Sequence, residues 1–485
     1  MAVPLQKIQQ LMQKGEIAQA EKLCRKICRT KPANASAWEA LANVQVATGN
    51  YEAVVKNYRR VVELQPDNFM AFYNLAIACS RLDLIDDAIT ALRKAIQVNP
   101  QFTLAIVMLS EIYRGMKSYP EAIELLRSSV THNTEDVRIN WLLGACLQDT
   151  DELEQATRYF NKACHLMRSC NQQPNDFYPT HDPELGDTFK STAAYKLQHD
   201  IEQFEYLMGK GLLDTEYSEV VANYKKLLAV LRNENSPVNI MQLSKEGTAM
   251  IGGTYNRLVY ESTRGRDCTA PLNPDIDWNA VVSDYQCNQP GITYIDELLR
   301  PDVLQELYEY CLESTVWFDY RHKGYVGAYA DDGFDNPLLF RIAEELRTAM
   351  PELLSDHPIR YIWAYQYDQQ LEGIGIHGDD AAVNVNFWVT PDSANLNTDT
   401  GGLVVHRAEA PSHWNFKKYN NNTEEIHRFL KKENAGSMRV PYRRNRAVIF
   451  NSDLFHETDN PQFREGFENR RINITMLFGH RTDKH

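Results

Sequence analysis

Two polar residues separated by a single residue, His377 and Asp379, lie in the stretch IHGDDAAVNVNFW at residues 376–388. In a β-strand, positions i and i+2 point to the same face, so both side chains would face inward together. Burying an imidazole beside a carboxylate costs free energy unless something occupies the space between them. The spacing therefore indicates a metal site to which both residues supply a ligand atom.

A third ligand is expected from a distant strand. The candidate is His456 in IFNSDLFHE, at the end of the strand-like run RAVIF. Two histidines and one carboxylate on one face of an octahedron leave three coordination positions open. That arrangement suits non-haem Fe(II), which needs open positions for a bidentate co-substrate and for dioxygen.

A co-substrate with a distal carboxylate also needs a buried cation, and Arg471 in NRRINITMLFG is the candidate. Its guanidinium can pair with a carboxylate through two parallel hydrogen bonds. Asn473 and Thr475 alternate onto the same face of this predicted strand and would extend a polar, cofactor-binding patch. Arg470 points the other way, and a slip of one residue would exchange the two arginines, so the choice between them stays open.

The elements that must position these residues are short strands. Residues 291–313 predict a strand followed by an amphipathic helix, and a second helix is predicted at about 337–350. Short strand-like runs separated by turn signals follow, namely RYIWAYQYD, AVNVNFWVT, GGLVVH, RAVIFNSD and RINITMLFG. This pattern predicts that residues 291–485 form a jelly-roll or cupin-like β-domain with flanking helices, in which a metal can sit in the mouth.

The first third of the chain is a repeat. Pro32, Pro66 and Pro100 are evenly spaced, and small and apolar columns keep the same interval through Ala20, Val54, Ala88, Ala122 and Ala156 and through Leu41, Leu75, Leu109 and Leu143. A period of about 34 residues with these positions is the tetratricopeptide (TPR) pattern. We therefore predict a TPR α-solenoid over residues 1–168. Its concave groove would bind a peptide or partner protein, or the array would only pack on its own neighbour.

Residues 169–290 are predicted to be a connector. Residues 169–187 indicate a linker, two long helices are expected between about 190 and 232, and residues 233–290 suggest an irregular segment. His181 and His199 fall in this region and are interpreted as surface or packing residues. The segments 320–336 and 395–430 lack periodicity and are predicted to be specificity loops.

Composition narrows the class of protein. A hydrophobic fraction of 43% with 24% charged residues is typical of a folded globular protein. No apolar run is long enough to cross a bilayer. The formal net charge of −14 argues against broad nucleic-acid binding. Nine scattered cysteines and an N-terminal stretch that reads as a mature helix predict a cytoplasmic protein with reduced thiols.

The ordered motifs HGD, TGGLVVH, RAVIFNSDLFHE and RRINITML resemble the Fe(II)- and 2-oxoglutarate-dependent dioxygenases, especially the prolyl-hydroxylase-like branch. The resemblance covers about residues 290–485 and implies a double-stranded β-helix. It implies that His377, Asp379 and His456 are catalytic iron ligands and that Arg471 binds the C5 carboxylate of 2-oxoglutarate. Tyr367 matches a tyrosine that lines the co-substrate pocket, and Gly401 and Gly402 match the paired glycines of that branch.

The same resemblance implies the reaction. With Fe(II) as the cofactor, 2-oxoglutarate and O2 would be consumed in an oxidative decarboxylation that gives succinate, carbon dioxide and a hydroxylated product. Ascorbate would stimulate this reaction. Asp379 occupies a coordination position that a halogenase would leave open, so hydroxylation is expected. The chain departs from the branch in its longer interval between His456 and Arg471 and in Asn473, where relatives have a small residue.

Three hypotheses follow from combining the repeat with this domain. In the first, the TPR array holds a protein or peptide and the C-terminal domain hydroxylates one of its side chains. In the second, the domain oxidises a small molecule and the repeats serve assembly. In the third, the domain is catalytically silent and the repeats recruit a partner. The target residue and the oligomeric state do not follow from the sequence.

Overall fold

The computed structural model describes residues 3–170, 188–234, 240–320, 324–367 and 373–481. Residues 171–187, which hold most of the predicted linker and His181, lie outside the described residues. The chain divides into two compact units, Met1–Cys146 and Leu147–His485. The predicted divisions at residues 168 and 290 stay predictions.

The N-terminal helices follow the predicted 34-residue period as consecutive pairs. Their bounds are α1 Val3–Gln13, α2 Ile17–Thr30, α3 Ala35–Val46, α4 Tyr51–Leu64, α5 Phe69–Ser80, α6 Ile85–Val98, α7 Thr103–Gly115, α8 Tyr119–Val130, α9 Val137–Asp149 and α10 Leu153–Arg168. The small column is buried throughout, at Ala20, Val54, Ala88 and Ala122. These side chains let neighbouring helices approach closely, so the prediction of tetratricopeptide repeats is confirmed.

Asparagine caps set where three of these helices begin. The side chains of Asn34, Asn50 and Asn68 each accept a hydrogen bond from the backbone N–H three residues later, at the start of α3, α4 and α5. A cap of this kind satisfies one of the free N–H groups of the first turn. Asn34 and Asn68 occupy the same place in successive repeats, before the first helix of each, whereas Asn50 caps a second helix.

The second unit combines helices with two main antiparallel sheets and a short two-stranded antiparallel sheet formed by the first two strands of the chain. After α10 the elements are β1 Ser191–Thr192, α11 Ala194–Gly209, α12 Tyr217–Glu234, β2 Met241–Gln242, α13 Lys245–Ile251, α14 Trp278–Cys287, β3 Ile292–Ile295, α15 Pro301–Glu313, β4 Asp319–Tyr320, β5 Tyr325–Tyr329, α16 Pro337–Ala349, α17 Pro351–Leu354, β6 Ile359–Tyr367, β7 Val383–Trp388, β8 Leu403–Glu409, α18 Phe416–Asn421, α19 Thr423–Glu433, β9 Ser437–Val440, β10 Ala447–Asn451, β11 Leu454–Thr458 and β12 Ile472–Phe478.

Seven strands form the larger sheet in the order β3-β10-β7-β12-β6-β5-β4, and three form a smaller sheet in the order β11-β8-β9. Every described pair in the two sheets is antiparallel. One face of the larger sheet, with Val385 and Phe387, shares a core with residues of α15 and α16. The opposite face, with Trp388 and Phe450, shares a core with Val405 of the smaller sheet.

Two segments predicted to be irregular contain regular structure. The connector at 233–290 includes α14, whose N-cap Asp277 accepts a hydrogen bond from the backbone N–H of Ala280. The predicted loop at 320–336 includes β5, which pairs with β6 over its whole length. Both faces of β5 are buried, so it lacks the alternation that would have marked it as a strand.

The insert at 395–430 is also not simply a loop, because it contains the whole of β8 and α18 and the start of α19. A further correction concerns the segment of the first histidine. His377 and Asp379 were predicted to lie in a regular strand, but they precede β7, and His377 forms only an isolated bridge.

Candidate metal centre

His377, Asp379 and His456 converge in the second unit. The Nε2 atom of His377 lies 3.6 Å from one carboxylate oxygen of Asp379, and Nε2 of His456 lies 3.4 Å from the other. One ligand atom from each residue lies within 4.8 Å of the other two. Among the described residues, these three side chains form the group of histidine, cysteine or acidic residues whose ligand atoms lie close enough together to hold a metal ion.

The backbone places the two histidines side by side. His377 N donates to His456 O at 3.0 Å, and His456 N donates to His377 O at 2.8 Å. This antiparallel bridge joins the segment before β7 to β11. It therefore connects the chain that leads into the larger sheet to a strand of the smaller sheet. The imidazole centroids are consequently only 4.3 Å apart.

Each histidine is held in the tautomer that a metal ligand needs. The Nδ1 atom of His377 lies 2.9 Å from Gly375 O, and Nδ1 of His456 lies 3.1 Å from Leu454 O. A carbonyl oxygen can only accept, so Nδ1 carries the proton in both rings. In the neutral imidazoles, Nε2 therefore presents its lone pair to the centre of the group, as in histidine–metal sites generally.

Asp379 is oriented by a buried amide. Its carboxylate accepts a 2.8 Å hydrogen bond from Asn384 Nδ2, and the residue is 7% exposed. Burial raises the pKa of Asp379, but the hydrogen bond and charge of His456 in its protonated form, with smaller contributions from His377 and Asn384, outweigh burial and leave the pKa below its usual value. The carboxyl is thus held in the anionic form that binds a cation.

The strand register puts Arg471 on the same sheet face as Asn384. In the pairing of β7 with β12, Asn384 lies opposite Leu477 and Asn386 lies opposite Thr475. Directly opposite residues share a face, and alternate residues along β12 continue it. A line of polar side chains follows: Asn386 Nδ2 donates to Thr475 Oγ1 at 2.9 Å, and Arg471 donates to Asn473 Oδ1 at 3.1 Å.

Arg471 is 1% exposed and is fixed by oxygen acceptors. Its Nε donates to Gly401 O at 2.7 Å, and Nη2 donates to Gly402 O at 3.3 Å. The guanidinium carbon lies 4.7 Å from the ring centroid of Tyr367. The two glycines named from the resemblance therefore contact the arginine through their carbonyl groups.

The charge of Arg471 is not neutralised by an ion pair with any carboxylate of the described residues, because its hydrogen-bond acceptors are neutral oxygens. Burial lowers the pKa of Arg471, opposed by Tyr367 and Tyr442. A buried cation without a counter-ion is costly, so the site favours an anion at this position. A ligand carboxylate fits that requirement.

Arg470 faces the other side of the sheet. Its Nε and Nη2 each lie 2.9 Å from Glu202 Oε2, a residue of α11. The two arginines therefore lie on opposite faces of the sheet. Arg471 is on the face of the metal candidates, and Arg470 is paired with Glu202 on the other face.

Sequence reasoning missed a row of buried polar atoms on β7. In the part of the chain that the structure describes, Asn384 Oδ1, Asn386 Oδ1 and Trp388 Nε1 have no hydrogen-bond partner. The three residues are at most 5% exposed. They lie on one face between the metal candidates and Arg471. The signal was present in the run NVNFW, since asparagines at alternate positions of a buried strand require a polar cavity.

The residues present fit a divalent transition metal. Two neutral imidazoles and one carboxylate are donors that Fe(II) accepts, and three protein ligands leave positions for exogenous groups. Asn384 also meets the requirement that a ligating carboxylate be held by a hydrogen bond.

Comparison with known proteins finds similarity to repeat proteins. The family model described as anaphase-promoting complex, cyclosome, subunit 3 matches residues 13–95. The chain is 22% identical over 152 residues to the TPR repeat-containing protein YpiA of Bacillus subtilis (strain 168), covering 31% of this chain and 36% of that protein. It is 22% identical over 250 residues to the BBSome complex member BBS4 homolog of Drosophila melanogaster, covering 50% of this chain and 48% of that protein. The chain thus matches less than half of the length of each of these relatives.

Solved structures of repeat proteins are also similar in part. The crystal structure of MamA is 23% identical, with 32% of this chain and 92% of that chain covered and a TM-score of 0.31. YrrB, described as a TPR protein with an unusual peptide-binding site, is 17% identical, with 34% and 84% covered and a TM-score of 0.30. In the described residues, no helix has the length and apolar character needed to span a membrane.

Proposed function

We propose that this protein is an Fe(II)- and 2-oxoglutarate-dependent oxygenase that hydroxylates a side chain of a protein or peptide. One observation carries the proposal. Three ligand atoms of His377, Asp379 and His456 converge, and a buried arginine without a carboxylate partner lies on the same sheet face. The two features are the halves of a site for a metal ion and a dicarboxylate.

In this proposal the residues have separate tasks. His377, Asp379 and His456 hold the metal, and Arg471 with Tyr367 binds the distal carboxylate of 2-oxoglutarate. Bound iron and 2-oxoglutarate would supply the oxidising chemistry for hydroxylation. Asn473 accepts from the guanidinium and in turn donates to Thr475, and both residues are at most 3% exposed, which supports their place in the lining of the cavity.

The two antiparallel sheets are proposed to be the two sides of a double-stranded β-helix within residues 291–485. The shared core of Trp388 and Phe450 with Val405 supports this arrangement, because it packs the faces of the two sheets together. The metal candidates come from both sides of this core, since His456 lies on β11 and His377 precedes β7. Such a fold keeps the site between the sheets and away from bulk water.

The tetratricopeptide repeats are proposed to bind the protein substrate. Met70 and Leu104 occupy the same position in successive repeats, on α5 and α7, and each is 41% exposed. Exposed apolar side chains repeated along a solenoid are typical of a surface that binds a polypeptide. Residues elsewhere on the same helices are buried, so this exposure is specific to one face.

The first test is succinate formation by the full-length protein supplied with Fe(II), 2-oxoglutarate, ascorbate and oxygen. We expect slow turnover by the wild type and its loss in His377→Ala and Arg471→Ala. The exposed His413→Ala is the matched control and should retain turnover. If the wild type binds neither iron nor 2-oxoglutarate under anaerobic conditions, the oxygenase proposal is wrong and a TPR scaffold without catalysis replaces it.

A second test separates a protein substrate from a small molecule. The double variant Met70→Asp and Leu104→Asp places charges on the proposed substrate face without touching the metal site. With a protein substrate, stimulation of succinate formation by cell-extract polypeptides should fall, while turnover without substrate should persist. Stimulation that survives both substitutions and passes a dialysis membrane would identify a small-molecule substrate instead.

A further inference from the structure

Helix α11 carries an unusual number of buried polar side chains. Lys196, His199, Asp200 and Gln203 are at most 7% exposed, although the sequence suggested a connector helix with surface or packing residues. Gln203 donates to the carbonyl oxygens of Leu312 at 3.0 Å and of Ser314 at 2.9 Å. The helix is therefore tied by hydrogen bonds to the C-terminal end of α15.

One contact reaches the start of β12. Glu202 accepts from Arg470 at 2.9 Å through both Nε and Nη2, and Arg470 is 2% exposed. The other carboxylate oxygen of Glu202 accepts from Gln198 Nε2 at 2.7 Å, which holds the acid from within the helix. Charge-assisted hydrogen bonds at a buried arginine are strong and directional.

A second contact reaches β6. His199 is fully buried, and its Nε2 lies 2.6 Å from the side-chain oxygen of Gln366, while its Nδ1 lies 3.0 Å from Asp200. Burial lowers the pKa of His199, so the imidazole is neutral and its Nδ1–H donates to the carboxylate. In this tautomer Nε2 of His199 carries a lone pair and needs a donor. The side-chain amide of Gln366 supplies one when its nitrogen, which has no other hydrogen-bond partner among the described residues, faces the ring in place of its oxygen.

Each of these contacts is made to the residue that immediately precedes a residue of the proposed co-substrate pocket. Gln366 precedes Tyr367, and Arg470 precedes Arg471. Adjacent residues of a strand face opposite sides, so α11 holds from behind the two chain segments whose next residues point into the pocket. The segments are also joined to each other, because Tyr367 N donates to Arg471 O at 3.1 Å.

We propose that α11 is a positioning element of the co-substrate pocket and that Glu202 is its principal positioning residue. Glu202 holds Arg470 behind the sheet and thereby fixes the chain segment from which Arg471 points to the front. His199 fixes β6 at Gln366 in the same way for Tyr367. This inference rests on the proposed function only for the identity of the ligand, not for the positioning.

The physical need for such a residue is clear from the two arginines. Both are buried, at 2% and 1% exposure, and a slip of one residue would exchange Arg470 and Arg471. In either register one arginine would face Glu202, so the ion pair alone does not choose the register. The pairing of β12 with β6 and β7 fixes it, and Glu202 neutralises the arginine that this register buries behind the sheet.

The test compares Glu202→Gln with Glu205→Gln in the full-length protein. Glu205 lies on the same helix but pairs with Lys225 at the surface, where the two side chains are 45% and 56% exposed. Calorimetry measures the binding of 2-oxoglutarate to the metal-free protein, and elemental analysis measures iron after anaerobic loading. Hydrogen exchange of the Tyr367 amide reports the β6–β12 junction without any ligand.

We expect Glu202→Gln to weaken 2-oxoglutarate binding by on the order of 10-fold to 100-fold and to raise KM more than it lowers kcat. Iron loading should be unchanged, the Tyr367 amide should exchange faster, and Glu202→Asp should recover part of the affinity. Glu205→Gln should match the wild type in every measurement.

Two outcomes overturn the inference and are distinct from failure of the proposed function. Unchanged exchange at Tyr367 in Glu202→Gln would show that α11 does not position the strand pair. Unchanged affinity together with faster exchange would show that the strand pair does not position the ligand-binding residues. If the wild type fails to bind 2-oxoglutarate at all, the proposed function fails, and the exchange measurement alone decides whether α11 positions the two strands.

Discussion

His377 and His456 exchange both of their backbone hydrogen bonds across one isolated antiparallel bridge. Each ring also donates Nδ1–H to a carbonyl two residues earlier in its own segment. The backbone therefore brings the two rings together, and local hydrogen bonds decide which nitrogen faces the centre. A metal would meet ligands that are already oriented, which reduces the ordering that binding requires.

Replacing Asn384 should weaken metal binding without removing a ligand. Asn384→Leu deletes the donor to Asp379, so the carboxylate loses its orientation, and affinity should fall on the order of 10-fold to 100-fold. Asn386→Ala, two positions along the same strand face, is the control and should retain metal affinity. Titration of the metal-free protein with Fe(II) or Mn(II) checks this, and equal affinities for the two variants would contradict a role for Asn384.

Arg471→Lys should abolish 2-oxoglutarate binding although it keeps the charge. An ammonium group cannot reproduce the planar set of bonds to Gly401, Gly402 and Asn473 while also presenting a bidentate face. At a concentration of 100 Kd, 2-oxoglutarate should stabilise the wild type by about 2.7 kcal/mol, which thermal unfolding detects. The variant should show no such shift, whereas Arg428→Lys on exposed α19 should behave as the wild type.

Gly402→Ala should destabilise the second unit. A Cβ atom at this position would lie 1.9 Å from Val440 O and 2.8 Å from the carbonyl carbon of Pro441, both backbone atoms that cannot yield cheaply. The expected cost is about 1–3 kcal/mol, measured as a lower urea midpoint. Gly436→Ala is the matched control, because no heavy atom lies within 4 Å of its Cβ position. An equal midpoint for both variants would refute the steric argument.

Asp335→Asn should change how stability depends on pH. Burial, with a contribution from Glu261, raises the pKa of Asp335 from 3.8 to about 7, against smaller opposing effects of His165 and Asn161. The folded protein thus keeps a proton that the unfolded chain has released between these values. The stabilisation is complete below pH 3.8 and is lost as the pH rises through about 7.

Asparagine cannot ionise, so the stability of Asp335→Asn relative to the wild type should rise on the order of 2–4 kcal/mol between pH 4 and pH 8. Thermal unfolding across this range measures the difference. The exposed Asp356→Asn should show a constant difference from the wild type. A constant difference for Asp335→Asn as well would contradict a raised pKa.

Much of the local structure followed from the sequence because its signals are periodic. Strands β6, β7, β8, β10 and β12 each overlap a predicted run, since short runs rich in β-branched and aromatic residues between turn signals mark strands even where both faces are buried, as in β7, β10 and β12. The repeats followed from spacing alone. The strand β5 and the helix α14 were missed, because the short run YVGAY of β5 is interrupted by a glycine and turn-forming flanks hide the period of α14.

The sequence by itself determined that His377 and Asp379 share a direction, because a spacing of two residues has that consequence in any extended segment, and that Arg471, Asn473 and Thr475 share a strand face. Only the tertiary structure decided that His456 joins them and that Arg471 rather than Arg470 faces the site. The physical reason is that alternation gives relative direction along one strand, whereas absolute direction depends on long-range partners such as the carboxylate of Glu202 and the bridge between the two histidines.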